Sequence, residues 1–181
     1  MNLDPVHTLS VGHVTVNDAS VAYHGRQWLC RDNTGRSVYG GSELTCVRGD
    51  WDALERLDVA DGVRCAIRQA RAYDEATEEY GLVASRRNYD VGQGRDPAGR
   101  WHSGVFEASW RFGGASPAEI AALQAFAERP DLDGVQVSTV EAYGADATPP
   151  AGAIVHFHGI DEVDGPLVRY TLVGRALERA A

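Results

Sequence analysis

Residues 154–165 read IVHFHGIDEVDG, two histidines one residue apart followed by three carboxylates. Ring nitrogens and carboxylate oxygens at short spacing are the donor types that hold a transition metal. Along a strand the side chains alternate between faces, so His156 and His158 would point the same way and could share an ion. Whether they do depends on the strand that carries them and on what lies opposite.

With Glu162 the two histidines make an HxHxxxE pattern. It resembles the first motif of the cupin family, and the resemblance implies a small β-barrel, either a metal-dependent enzyme or a small-ligand-binding protein, with His156, His158 and Glu162 as metal ligands. That family completes its site with a later histidine. No histidine follows His158 here, and the glycine spacing around the motif differs.

Pairing the C-terminal hairpin tests the site further. A turn over Asp161–Pro166 sets Ile160 opposite Leu167, His158 opposite Arg169, Phe157 opposite Tyr170, His156 opposite Thr171 and Val155 opposite Leu172. Val155, Phe157, Tyr170 and Leu172 then form a core face. The outer face holds both histidines with Ile154, Ile160, Leu167 and Arg169. A fixed guanidinium beside His158 disfavours a second cation there. The sequence thus predicts no metal and no cofactor, and an interface built on Ile154, Ile160, Leu167 and Arg169.

No GxSxG, HExxH or GxxxxGK[ST] motif occurs, and all 17 basic residues are arginines. Lysine-dependent phosphate loops, Schiff bases and general bases are thereby excluded. His7, His13, His24 and His102 could each meet an aspartate in space, which spacing alone does not decide. Arg48-Gly49-Asp50 reads as a turn with Asp50 capping a short helix in which Trp51, Leu54 and Leu57 stand at helical spacing. Phe106, Ala108, Trp110 and Phe112 share one face of a strand and read as core, with stacking on a small ligand as the alternative. Cys30, Cys46 and Cys65 lack metal spacing and read as reduced thiols.

The elements that must position these residues are mostly strands. VGHVTVN, SVAYHGRQWLC, RSVYGGSELTCV, GVFEASWRF, GVQVSTVEAY, AIVHFHGI and LVRYTLVGRAL alternate or carry β-branched and aromatic residues between turn signals. One amphipathic helix is predicted at about 117–129, with Ser116 and Glu119 as a capping box and Ile120, Leu123 and Ala127 inward. Residues 62–83 fit either period. Their arginines lead and their acids trail, against a helix dipole, so a strand to about Tyr73 is expected. GQGRDPAGRW reads as a surface loop.

A hydrophobic share of 44% and a charged share of 24% are those of an ordinary soluble domain. The expected fold is therefore mainly β (α+β), a single domain over 1–181, as a sandwich or partly closed barrel of about seven strands with one helix and a C-terminal β-hairpin. The net charge of −9 argues against a nucleic-acid partner. No apolar run reaches the roughly 18 residues that cross a membrane, and no signal peptide is seen, so the chain is expected to stay in the cytoplasm where it is made. The function expected is non-enzymatic: a structural or assembly protein, homo-oligomeric or docked into a larger complex. In architecture it resembles the acidic β-sandwich-plus-helix proteins of phage tails and injection machines.

Overall fold

The computed structural model describes residues 4–177. Eight strands and three helices follow one another as β1 (Asp4–Val16), β2 (Ala19–Arg31), β3 (Ser37–Arg48), α1 (Trp51–Glu55), α2 (Asp61–Glu78), β4 (Arg86–Arg95), β5 (Trp101–Ser109), α3 (Ser116–Glu128), β6 (Gly134–Tyr143), β7 (Ile154–Asp161) and β8 (Gly165–Leu177). The fold is mixed and mainly β. All eight strands lie in one antiparallel sheet in the order β5-β4-β1-β2-β3-β6-β8-β7. β5 and β7 are its terminal strands, so the sheet is not closed into a true barrel, and the fold has eight strands and three helices where about seven strands and one helix were expected. The chain forms two compact units, one from the stretch up to Arg26 with Cys46–Phe112 and the other from Gln27–Thr45 with Gly113 onward.

In the first unit β1 turns into β2 through Asn17 and Asp18, with Asn17 at φ 52°, a conformation asparagine tolerates in a two-residue hairpin. β1 pairs on its other side with β4, Val11 facing Tyr89 and His13 facing Arg87. The core joins Leu9, Val11, Ala22, Val47, Tyr89 and Val91 of the strands to Trp51, Leu54, Ala66, Ile67 and Ala70 of the helices. α1 starts as expected, its Asp50 carboxylate accepting from the amides of Asp52 and Ala53. α2 corrects the reading of 62–73 as a strand. Ala66, Ile67, Ala70 and Asp74 recur on one buried helical face, and burying that stripe outweighs the few tenths of a kcal/mol at stake in its charge order.

The eighth strand, β4, is the one the sequence does not signal. Its buried positions include Arg86, Asn88 and Gln93, so no apolar alternation marks it. GQGRDPAGRW is the end of β4, a tight turn over Asp96–Arg100 and the first residue of β5, not a surface loop.

In the second unit α3 packs on β6 and β8. It begins within one residue of the expected start, but the capping box is absent. The Ser116 hydroxyl accepts the Gly113 amide of the preceding loop at 3.0 Å, and the N-cap residue is Ala115, which makes no side-chain cap bond. The buried face is Ala118, Ala121, Ala122 and Phe126, while Ile120 stands half exposed. Counting from Ile120 selects the wrong face because alanines, small enough to let the helix approach the sheet, carry the contact. Gly41, at φ 151°, lies where a Cβ would overlap the Thr139 carbonyl and the Trp28 ring. That close approach is what a glycine permits.

Candidate functional site

The hairpin β7–β8 is present, but its register is one residue away from the expected one between Phe157 and the turn, and two residues away at Val155. Val155 faces Tyr170, Phe157 faces Arg169, His158 faces Val168, Gly159 faces Leu167 and Ile160 faces Pro166, with a bulge that leaves His156 without an opposite number. The turn is shorter than expected because Asp161 pairs with Gly165, and the Asp161 carboxylate accepts the amides of Val163 and Asp164. Those two bonds hold Asp161 below the usual carboxylate range. The slip moves the predicted residues apart. Leu167 is 1% exposed and belongs to the core, which corrects its assignment to the outer face. Val155, expected inside, is half exposed, while Ile154 and Ile160 are exposed at 42% and 82%. Arg169 sits opposite Phe157 and is held by Glu141 at 3.3 Å and Asp164 at 3.2 Å, so it belongs to a local ion-pair group.

The histidines do not converge with Glu162. His156 Nε2 lies 2.8 Å from the Thr171 hydroxyl, His158 stands opposite an apolar valine, and Glu162 is on the exposed turn. Among the described residues no group of three or more histidine, cysteine, aspartate or glutamate side chains is placed to hold a metal ion. β7 is a terminal strand of an open sheet, so these residues do not line the mouth of a barrel as the cupin resemblance requires.

A second cluster, which spacing did not reveal, lies in the first unit. Asp74 of α2 accepts from Tyr89 at 2.5 Å, from Trp51 Nε1 at 2.9 Å and from Arg87 at 3.1 Å. Arg87 also reaches Glu78 at 2.9 Å, Trp110 Nε1 donates to the Tyr89 hydroxyl at 3.3 Å, and the His13 ring packs 6.3 Å from Trp51. Burial first, and then the bond to Asp74, push the Tyr89 phenol up to about 12. Burial lowers His13, against the pull of Asp74 and Asp50. The donors and acceptors of this cluster are engaged with one another, so its contacts read as structural. The cluster fixes α2 to β4 and β5. Its signal in the sequence is Asp74 itself, one turn after Ala70 on the buried face of the helix.

Two groups of exposed apolar side chains lie along the terminal strands, and others are scattered, among them Leu29, Tyr80 and Val83. Along β5 and just after it Phe106, Trp110 and Phe112 are exposed, which corrects their reading as core. Phe106 is the bulged residue of β5, and a shallow hollow of about 400 Å³ runs along Glu107–Arg111. On β7 and its turn the exposed set is Ile154, Val155, Ile160 and Val163. A family model described as "Protein of unknown function (DUF3182)" matches residues 1–171. The chain belongs to that family. No curated protein and no solved structure matches it.

Two turns of this DUF3182 chain are copies of one another, a repeat that the sequence carries as RDNTGR, 31–36, and RDPAGR, 95–100. In each, the aspartate accepts the amides two and four residues on together with the arginine Nε, and the leading arginine donates to the glycine carbonyl. Gly35 and Gly99 take φ 82° and 78°. The Thr34 hydroxyl in one turn and His102 in the other lead the bonds that hold Asp32 and Asp96 down at about 2. His102 is thus one of the scattered histidines that meets an aspartate, at 3.0 Å, and it does so as part of a turn. Cys30, Cys46 and Cys65 are free thiols. No helix among the described residues is long and apolar enough to cross a membrane.

Proposed function

We propose that this DUF3182 protein works without catalysis, as an assembly component that docks to protein through the outer side of β7. The observation that carries this reading is the exposure of Ile154, Val155, Ile160 and Val163 together on one terminal strand and its turn. Aliphatic side chains collected at an edge are costly in water and productive when covered, each contributing roughly 1.5–3 kcal/mol on full burial. Asp161, Glu162 and Asp164 beside them supply the polar rim that orients such a contact. Arg169, engaged with Glu141 and Asp164, stiffens the hairpin from behind.

The bulge at His156 shapes how docking occurs. Bulges on terminal strands bend the edge and interrupt indiscriminate strand addition, so the contact is carried by side chains more than by a continuous backbone ladder. With a net charge of −9, nucleic acid is not the partner. The likeness to phage-tail proteins is one of architecture and rests on no residue of this strand.

The test compares the size at which the protein migrates in a gentle lysate of its own cells with the size of the purified chain. A larger assembly that is lost in the double variant I154S/I160S, with the melting transition kept, supports docking through β7. Migration as a free chain in both settings overturns it.

A further inference from the structure

We infer that the outer edge of β5 and the residues just after it, over Glu107–Arg111, receives an extended segment of a partner protein as an added antiparallel strand, with an acidic residue leading the paired stretch and a basic residue closing it. The site is independent of docking through β7. β5 ends the sheet, so its outward backbone groups have no strand beside them among the described residues. On the inner side the segment is held beyond its last pair. Ser109 faces Asn88, and past that point the Arg86 guanidinium donates to the Ser109 carbonyl at 3.2 Å and to the Arg111 carbonyl at 2.6 Å. In an extended chain, carbonyls two residues apart point to one side, and the amide and carbonyl of each residue share a side. Ser109 and Arg111 thus face inward. Ala108 and Trp110 turn their backbone groups to the open edge.

Shape and charge together define what fits. The hollow of about 400 Å³ runs along this edge. Register sets Glu107 and Ser109 on one face, opposite Asp90 and Asn88, and Ala108 on the other, opposite Tyr89, whose hydroxyl accepts Trp110 Nε1 at 3.3 Å. Both walls are side chains and the floor is a strand edge, the setting in which main-chain bonds give affinity and alternate side chains give selectivity. The bulge at Phe106 lies before this stretch and interrupts nothing within it. Arg87 is engaged by Asp74 and Glu78, and Arg100 by Asp96. Glu107 and Arg111 differ. Among the described residues neither has an ion-pair partner, and Arg111 donates to the carbonyl of its neighbour Phe112. An antiparallel strand meets Arg111 first and Glu107 last, so it satisfies both with an acidic residue ahead of a basic one, and it sets apolar side chains against Trp110 and Ala108 between them.

The probe is the blocked peptide Glu-Val-Thr-Val-Lys, titrated into the isotope-labelled full chain and followed by the amide resonances of Ala108 and Trp110. Both resonances move, with a Kd of about 1 mM, as suits so short a strand. The reversed peptide Lys-Val-Thr-Val-Glu binds about tenfold more weakly. E107R/R111E inverts that preference. Both side chains are exposed, so the melting transition is kept; should it be lost, E107Q/R111Q takes its place and abolishes the preference. N-methylation of the two valines, whose amides face Ala108 and Trp110, removes binding, while N-methylation of the threonine leaves it. Resonances that stay still up to about 10 mM peptide overturn the added strand. So does binding that ignores methylation at the valines, which is what a side-chain contact alone would give. A preference that survives E107R/R111E unchanged overturns the assigned order of charges. A mass that rises with concentration for the chain alone, and falls in E107R/R111E, gives the edge to a second copy and overturns the partner segment. None of these results bears on β7, and I154S/I160S binds the peptide as the wild type does.

Discussion

His24 shows what burial does to a single titratable group here. It sits on β2 opposite Val11 of β1, and desolvation, helped by the neighbouring Arg26, lowers its pKa to about 4 from the usual 6.5. Below pH 6.5 the unfolded chain takes up a proton at this position while the folded chain refuses it until about pH 4. The unfolded state then binds more protons, so stability falls as the pH is lowered through that window and levels off beneath it. The loss is of order 2–3 kcal/mol, reduced somewhat because the ring is not fully enclosed. Urea midpoints measured between pH 7 and 4 should decline, and H24Q should flatten the decline; an equal slope in both proteins would remove His24 as the cause. His13, lowered in the same sense by burial, leaves a residual slope in the variant. Neither histidine announces this in the sequence, because the shift is set by what covers the ring. His156 and His158 pose a different problem of legibility. Their spacing is legible and suggests a metal, whereas the bulge at His156 and the valine opposite His158 are properties of the hairpin register.

Between elements, the decisive contact is the one that ties α2 to its sheet. Asp74 gathers Trp51 from α1, Arg87 and Tyr89 from β4 and, through Tyr89, Trp110 beyond β5. Its side chain is almost completely buried, and Arg87 is the cation that balances it, with Glu78 at the outer end. D74N keeps the volume and removes the charge, leaving a poorly compensated guanidinium and an amide nitrogen aimed at groups that need an acceptor. The expected cost is about 3 kcal/mol, read as a lower denaturant midpoint with an unchanged slope; a loss below about 1 kcal/mol would show that Asp74 is not the clamp. Seven of the eight strands are legible because they alternate or carry β-branched and aromatic residues between turn signals, whether or not one face meets a core. β4 is not, since Asn88 and Gln93 are buried by hydrogen bonds, to Tyr23 and to Gly62 and Ser103, and not by hydrophobicity. α2 is concealed for the opposite reason: Val63, Cys65 and Ile67 satisfy a strand period, and only Ala70 and Asp74 further on break the tie. In α3 the helix is legible and its inward face is not, because the alanines that touch the sheet carry less hydrophobic signal than the isoleucine that does not.

At the scale of the whole molecule, β2 and β3 each pass unbroken from one compact unit into the other, changing at Arg26–Gln27 and at Thr45–Cys46. Each unit therefore borrows part of its sheet from strands whose remaining length belongs to the other. A strand that loses its neighbours over half its length keeps the entropy cost of being extended and forfeits the ladder bonds that offset it. We accordingly expect the chain to unfold as one domain, and a lesion in either unit to lower a single midpoint instead of exposing a second transition. D74N strikes the first unit. G41A strikes the second, where a Cβ collides with the Thr139 carbonyl and the Trp28 ring and where φ 151° is unsuited to alanine. The check is urea unfolding of the wild type and both variants, followed by far-ultraviolet circular dichroism for the strands and helices together and by tryptophan fluorescence, to which Trp51 contributes from one unit and Trp28 from the other. Coincident curves in all three proteins are the expected outcome. Two resolved steps, with D74N moving only one of them and G41A only the other, would show that the shared strands do not couple the units and that each melts alone.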